Sequence, residues 1–368
     1  MTYLDHAATT PMRQTARDAW LASSSLLNPG GQYASGRKAR RALEEAREQI
    51  GELLDCERVE VIFTASGTEA DNLAVRGLFA ASALDRIVCS PIEHPAVLET
   101  VRSLPASIAW LPVSRDGVVN PLDIPDAPAA LLCCMWANNE TGAIQPIHDI
   151  VQASGEIPVH VDAVQAVGHL PVSFRNLGAT TLAASAHKFG GPRGVGLLLA
   201  RRSPAPAAVL TGGGQERGLR PGTVDVAGAV ATAAALAEAC SEIDQEQQRL
   251  AKLRDQLRDH IVSTVNNVIV HTPENALPGH LFVSFPGAEG DSLIMLFDAA
   301  GIECSTGSAC AHGVNRPSEV LLAQGVSERD ARSAIRFTLG RTTSKADIAH
   351  VAQHVAQVVE RARLAGMA

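Results

Sequence analysis

Short apolar runs alternate along this chain with longer stretches of helical spacing. The runs at 59–64, 86–90, 130–136, 159–162, 181–185 and 195–200 have the length of buried strands and are built mainly from Val, Ile, Leu and Ala. The segment at 70–79 follows the first of them with apolar residues at helical intervals. Such alternation predicts an α/β fold, a mostly parallel sheet with helices on both faces. A long helical stretch at 227–262 then leads to a second group of elements: strands at 280–285 and 334–338 and an amphipathic last helix at 345–365. Two lobes follow from that order, with no internal repeat or low-complexity segment between them.

Composition narrows the class. At 368 residues and 46% hydrophobic content the chain can bury a large core, and its formal charge of −8 argues against a general nucleic-acid binder. No apolar run has the length of a membrane span, and the first residues lack a basic region followed by an apolar one, so the expectation is a cytoplasmic protein without a membrane anchor. Its seven cysteines form no CxxC pair, which speaks against a metal site and suits reduced thiols.

Candidate chemistry gathers at the ends of the apolar runs. Ser185-Ala186-His187-Lys188-Phe189-Gly190-Gly191-Pro192 sets one lysine between a strand and a glycine-rich turn. A lysine there can form a Schiff base with an aldehyde cofactor if a low-dielectric setting or a cationic neighbour frees its amine. Asp162 closes the run at 159–162. It either caps the next helix or keeps the ring nitrogen of pyridoxal phosphate protonated. Gln165, three residues on, is placed to donate to the ring oxygen if the chain turns there. After the run at 59–64, Ser66-Gly67-Thr68-Glu69 opens a helix. The segment reads both as a cap and as a phosphate cradle, in which Gly67 permits close approach and Thr68 adds a hydroxyl.

These motifs, with Tyr3-Leu4-Asp5-His6-Ala7-Ala8-Thr9-Thr10-Pro11, Glu93-His94, Asn138-Asn139-Glu140-Thr141-Gly142, the segment at 212–223, Ser305-Thr306-Gly307-Ser308-Ala309-Cys310 and Ile335-Arg336-Phe337, run nearly from end to end. Together they resemble the cysteine desulfurases among the class V, fold-type I pyridoxal-phosphate enzymes. The resemblance implies a seven-stranded, mostly parallel sheet in a large domain (14–255), and a smaller α+β domain formed by 1–13 and 256–368. It makes Lys188 the cofactor lysine, Asp162 the partner of the ring nitrogen, Gln165 the donor to the ring oxygen and His94 the imidazole stacked on the ring. Gly67, Thr68, Ser185 and His187 match phosphate-binding positions. Thr223 matches a residue that reaches the neighbouring subunit's phosphate, which implies a homodimer. Asn139 and Arg336 match contacts to the substrate, L-cysteine, with Arg336 gripping its carboxylate as a bidentate fork.

Cys310 separates sulfur chemistry from the other reactions of this scaffold, because a thiolate is the sulfur nucleophile. A lone cysteine is more often a small buried hydrophobe. Here the small-residue setting of 305–317 resembles the group I (NifS/IscS-like) loop, and implies a persulfide on Cys310 passed to an acceptor protein. Cys304, in the approach to that loop, reads as packing. Selenocysteine lyase, transaminase or epimerase activity is the nearest rival, and a silent scaffold the more distant one. Tyr33, where the family carries a histidine, His6 and His312 depart from the pattern at positions read as the rim of the site. The acceptor, whether for iron–sulfur assembly, transfer-RNA thiolation, DNA phosphorothioation or a single client, has no motif in the chain.

Overall fold

The structure, a computed structural model, describes residues 1–307 and 316–366. Its main sheet has seven strands in the spatial order Val61–Thr64, Gly196–Ala200, Thr181–Ser185, Val159–Asp162, Leu131–Cys133, Arg86–Cys89 and Ser107–Trp110. The last five pair in parallel, whereas Gly196–Ala200 runs antiparallel to both of its neighbours. The reason lies in the connection. Only residues 186–195 separate it from Thr181–Ser185, too few for the crossover that a parallel return needs.

Local chemistry trims two of the predicted strands. The run at 59–64 becomes a strand only from Val61, because Glu57 and Glu60 form a reciprocal capping box around a 3-10 turn at Arg58–Glu60. Of the run at 130–136, Leu131–Cys133 forms the strand, and the ladder to its neighbour continues past it: the amides of Leu132, Cys134 and Trp136 donate in turn to the carbonyls of Pro158, His160 and Asp162 at 2.8, 3.1 and 2.8 Å. The edge strand Ser107–Trp110 escapes the hydrophobic pattern because Ser107 and Trp110 are exposed, with Ile108 and Ala109 half-buried between them.

The helix Val226–Thr264 joins two separate cores. Its alanine-rich first half packs with the helices Gln14–Ser23 and Ala34–Leu53 against the sheet, and Leu250, Leu253, Leu257 and Ile261 in its second half enter another cluster with Phe285, Phe297, Phe337 and Val355. Contrary to the sequence expectation, this helix is long and apolar enough to cross a membrane. More than half of that apolar window is buried inside the fold, as in the core helix of a globular protein. Above the second cluster lies an antiparallel sheet in the order Ala334–Thr338, His280–Ser284, Ile269–Val270. The N-terminus joins this body: Thr2–Tyr3 pairs in parallel with Ile302–Glu303, and Leu4 is fully buried in its core.

Candidate active site

The carboxyl ends of the parallel strands, the usual place for a ligand on an open α/β sheet, carry three of the candidate residues. Asp162 is the last residue of its strand, His94 follows the strand Arg86–Cys89 and caps the helix Pro95–Arg102, and Lys188 stands just beyond Thr181–Ser185. The His94 cap has a chemical consequence. Its Nδ1 accepts from the Ala96 amide at 3.1 Å, so the neutral ring carries its proton on Nε2. Burial holds the imidazole below its ordinary pKa, with the Lys188 charge acting in the same direction and Asp162 against it. His94 is therefore a neutral ring at physiological pH, suited to stacking.

Asp162 is buried, and its Oδ1 accepts from the Val164 amide at 2.9 Å. Burial raises its pKa, while the hydrogen bond from the Val164 amide and the Lys188 charge oppose the rise. Among the described residues no cationic side chain is salt-bridged to it. A buried carboxylate in that position favours a protonated ring nitrogen as its partner. Lys188 is shifted in the complementary sense: burial lowers its amine to about 8, Arg336 adds to the effect, and Asp162 and Asp5 oppose it. Its Nζ donates to the carbonyls of Ala7 and Ala8 at 2.5 and 3.0 Å.

A phosphate end is present as well. The helix Gly67–Ala81 is capped by Ser66, whose hydroxyl accepts from Glu69 N at 3.0 Å, leaving the first-turn amides of Gly67 and Thr68 to face an anion. A Cβ on Gly67 would lie 2.8 Å from Val164 and 3.2 Å from the Ser185 Cβ, so glycine is needed for the helix terminus to close on the strand that leads to Lys188. Thr68 is exposed beside it. His187 meets the Thr9 hydroxyl at 3.1 Å, and burial lowers its pKa to about 4, which makes it a neutral polar contact. Cradle, acid and low-pKa lysine fit pyridoxal phosphate: Gly67, Thr68, Ser185 and His187 would hold the phosphate, Asp162 the ring nitrogen and Lys188 the aldehyde carbon.

The remaining assignments fall unevenly. Gln165 Nε2 donates to the Ala7 carbonyl at 2.9 Å, the same oxygen that receives Lys188. Arg336 lies buried on the strand Ala334–Thr338, with Nη2 2.6 Å from Asp5 Oδ1, Nη1 2.9 Å from the Asn139 carbonyl, and a buried Nε that meets no acceptor among the described residues. That unfilled donor leaves the guanidinium with capacity for a further carboxylate. Asn139 thus reaches Arg336 through its backbone. Thr223 is exposed in a single chain, remote in sequence from the other site residues. Cys310 lies outside the described residues, as does His312. Cys304 packs partly buried against the second core, and burial pushes its thiol pKa far up, an inert setting.

Two residues read differently in three dimensions. His6 is no rim residue: it is buried, bonded to the Thr10 hydroxyl at 2.8 Å, and burial lowers its pKa to about 4. Glu93 has no role of its own in the sequence motifs, yet it is buried beside the site with its pKa raised by burial to about 8. Its Oε1 accepts from Met135 N at 2.7 Å, and the Ser90 side chain stands beside the carboxyl and opposes the rise in its pKa. The signal in the sequence is an acid placed directly between an apolar run and His94.

Known proteins resemble the chain along nearly its whole length. The aminotransferase class-V family model matches residues 2–351. An IscS-like cysteine desulfurase from Mycobacterium tuberculosis is 44% identical, the alignment covering 100% of this chain and 98% of the relative. Among solved structures, a NifS-like protein superposes with a TM-score of 0.91 at 31% identity over 98% of this chain and 99% of the other. SspA in complex with cysteine superposes with a TM-score of 0.80 at 29% identity, covering 92% and 99% of the two chains.

Proposed function

The chain belongs to the aminotransferase class-V family and is a pyridoxal-phosphate-dependent cysteine desulfurase; we propose that Lys188, Asp162, His94 and Arg336 carry the first half of its reaction and Cys310 the second. The observation that carries this division is the convergence of a lysine amine lowered to about 8 with a buried carboxylate that has no salt bridge and an arginine that retains a free donor. When bound, the cofactor supplies an aldehyde carbon for the substrate amine and a protonated ring that accepts the electron pair released at Cα.

The residues supply the rest. Asp162 stabilises the proton on the ring nitrogen, and the cradle opened by Gly67 and Thr68 fixes the opposite end of the cofactor. Arg336 orients the L-cysteine carboxylate, exchanging its contact with Asp5 or filling the free Nε. The Lys188 amine, neutral in a substantial fraction of molecules near pH 7.5, takes the Cα proton. Cys310 thiolate then attacks the substrate sulfur as the Cβ–S bond breaks. The sulfur remains on Cys310 as a persulfide, and the three-carbon fragment gains one proton at Cβ, recovers one at Cα and leaves as L-alanine; these equal the proton held by Lys188 and the one lost when the Cys310 thiol ionised. A thiol of an acceptor protein takes the sulfane sulfur in turn. The cysteine-bound SspA relative supports cysteine as the ligand. A homodimer follows if Thr223, exposed in one chain, completes the phosphate site of another. The fit to IscS-like relatives and the burial of the long helix support a soluble, cytoplasmic enzyme.

The test is stoichiometric. Cofactor-loaded protein given L-cysteine and a reductant should release alanine and sulfide in equal amounts, and Lys188→Ala should release neither. Sulfide without alanine, or wild-type turnover by Lys188→Ala, would overturn the assignment.

A further inference from the structure

Glu140 lies in the turn at 138–143, outside every contact assigned above, yet three parts of the site meet at it. Its backbone is held by Asn138, whose Oδ1 accepts from the amides of Glu140 and Thr141, each at 2.9 Å. The side chain is buried, which raises its pKa, and its Oε2 accepts from the Ser318 hydroxyl. Ser318 also caps the helix Glu319–Ala323 by accepting from Leu321 N at 3.1 Å. The same Oε2 closes on Gly307: a Cβ built there would sit 3.2 Å from it and 3.0 Å from Phe282, and Gly307 holds φ at +84°.

Gly307 and Ser318 stand on either side of Cys310 in the sequence. Upstream of Gly307, Ser305 pairs with Arg336, the two exchanging backbone hydrogen bonds at 2.6 and 3.2 Å, and Arg336 in turn donates to the carbonyl of Asn139, next to Glu140. Hydrogen bonds link Asn139, Arg336, Ser305 and Gly307, whose amide donates to the Ser305 hydroxyl at 3.1 Å, and Glu140 Oε2 stands where a side chain on Gly307 would go while it also bonds Ser318.

We propose that Glu140 is a positioning residue that ties both flanks of the Cys310 segment to the arginine gripping the substrate, so that the thiol is delivered relative to the bound cysteine. The proposal rests on the desulfurase reading and separates the two halves of that reaction. Proton exchange at Cα needs Lys188, Asp162 and Arg336, whereas sulfur transfer needs the flanks in register, and small misplacements there cost rate heavily.

The experiment compares Glu140→Ala and Glu140→Gln in the cofactor-loaded enzyme. Glu140→Ala is expected to keep solvent deuterium incorporation at Cα of cysteine within about twofold, and to slow persulfide formation on Cys310 by about tenfold or more. Glu140→Gln retains an acceptor for Ser318 and should restore the second rate. Without cofactor, amide hydrogen exchange in 305–307 and 318–322 should speed up in Glu140→Ala and not in Glu140→Gln. Should Glu140→Ala fail to fold, Ser318→Ala removes the bond from its other side and is expected to show the same split. Equal loss of both rates, wild-type persulfide formation in both Glu140→Ala and Ser318→Ala, or a Glu140→Gln as slow as Glu140→Ala would overturn the proposal. Wild-type enzyme that forms no alanine would instead overturn the desulfurase reading.

Discussion

The Lys188 amine offers the sharpest quantitative check on the site. Lowered to about 8 from 10.5, it is unprotonated in roughly a quarter of molecules at pH 7.5, against about 0.1% for an unperturbed lysine, a gain of about two hundredfold. Burial is the largest cause; the Arg336 cation adds to it, and the carboxylates of Asp162 and Asp5 oppose it. Two substitutions should therefore move the midpoint in opposite directions. Arg336→Met removes a cation and leaves Asp5 unpaired, raising the Lys188 pKa part of the way back toward its ordinary value, since burial remains the larger cause. Asp162→Asn removes an opposing negative charge and lowers it further. The assay is competitive acetylation of the cofactor-free protein from pH 6 to 11, with the Lys188 peptide quantified by mass spectrometry against an added amine standard. A wild-type midpoint near 10, or shifts of the same sign in both variants, would refute the electrostatic account of this lysine.

Two further outcomes follow from neighbouring residues. Glu93, raised from 4.5 to about 8, is protonated in the folded state over a pH range where the unfolded chain has lost that proton; its stabilisation is full below about 4.5 and is lost as pH rises through 8. Denaturant unfolding of the cofactor-free protein should accordingly lose about 2–3 kcal/mol between pH 6 and pH 9, and Glu93→Gln should flatten that slope; an unchanged slope would contradict a buried, neutral Glu93. Gly67→Ala places its Cβ 2.8 Å from Val164, and should cost about 1–3 kcal/mol of stability and weaken cofactor retention, read by unfolding and by spectrophotometric titration. Wild-type values in both measurements would show that the helix terminus does not need this approach.

The site is legible where chemistry coincides with the end of an apolar run. Asp162, Lys188 and the Ser66-Gly67-Thr68 turn all close or follow buried strands, so hydrophobic patterning places them at one edge of the sheet. The edge strand Ser107–Trp110 is not legible, because one strand neighbour and exposed ends leave it little apolar signal. The opposite failure occurs at Trp136, apolar in sequence yet beyond the strand's end, because the chain folds back there, Ala137 bridging Ile144 and the Gln145 amide donating to the Trp136 carbonyl at 2.8 Å. His6 misleads for a related reason. The resemblance assigns residues 1–13 to the second domain, but a histidine there carries no sign of whether its own ring is buried or lies at the rim. The bond between Glu140 and Ser318 spans 178 positions, and no periodicity encodes such a contact.

The proposal that sulfur leaves the substrate onto Cys310 is tested most directly by isotopic transfer. Cofactor-loaded wild-type and Cys310→Ser proteins are given one equivalent of ³⁴S-labelled L-cysteine in deuterated water without reductant. Peptides are then mapped for the label, and released alanine is counted. Wild type should carry ³⁴S as a persulfide on Cys310, with one alanine released per label. Cys310→Ser should still exchange the Cα proton while releasing almost no alanine, since a hydroxyl is a poor nucleophile toward sulfur. Label on Cys304 or another cysteine, or alanine release by Cys310→Ser at the wild-type rate, would contradict the account.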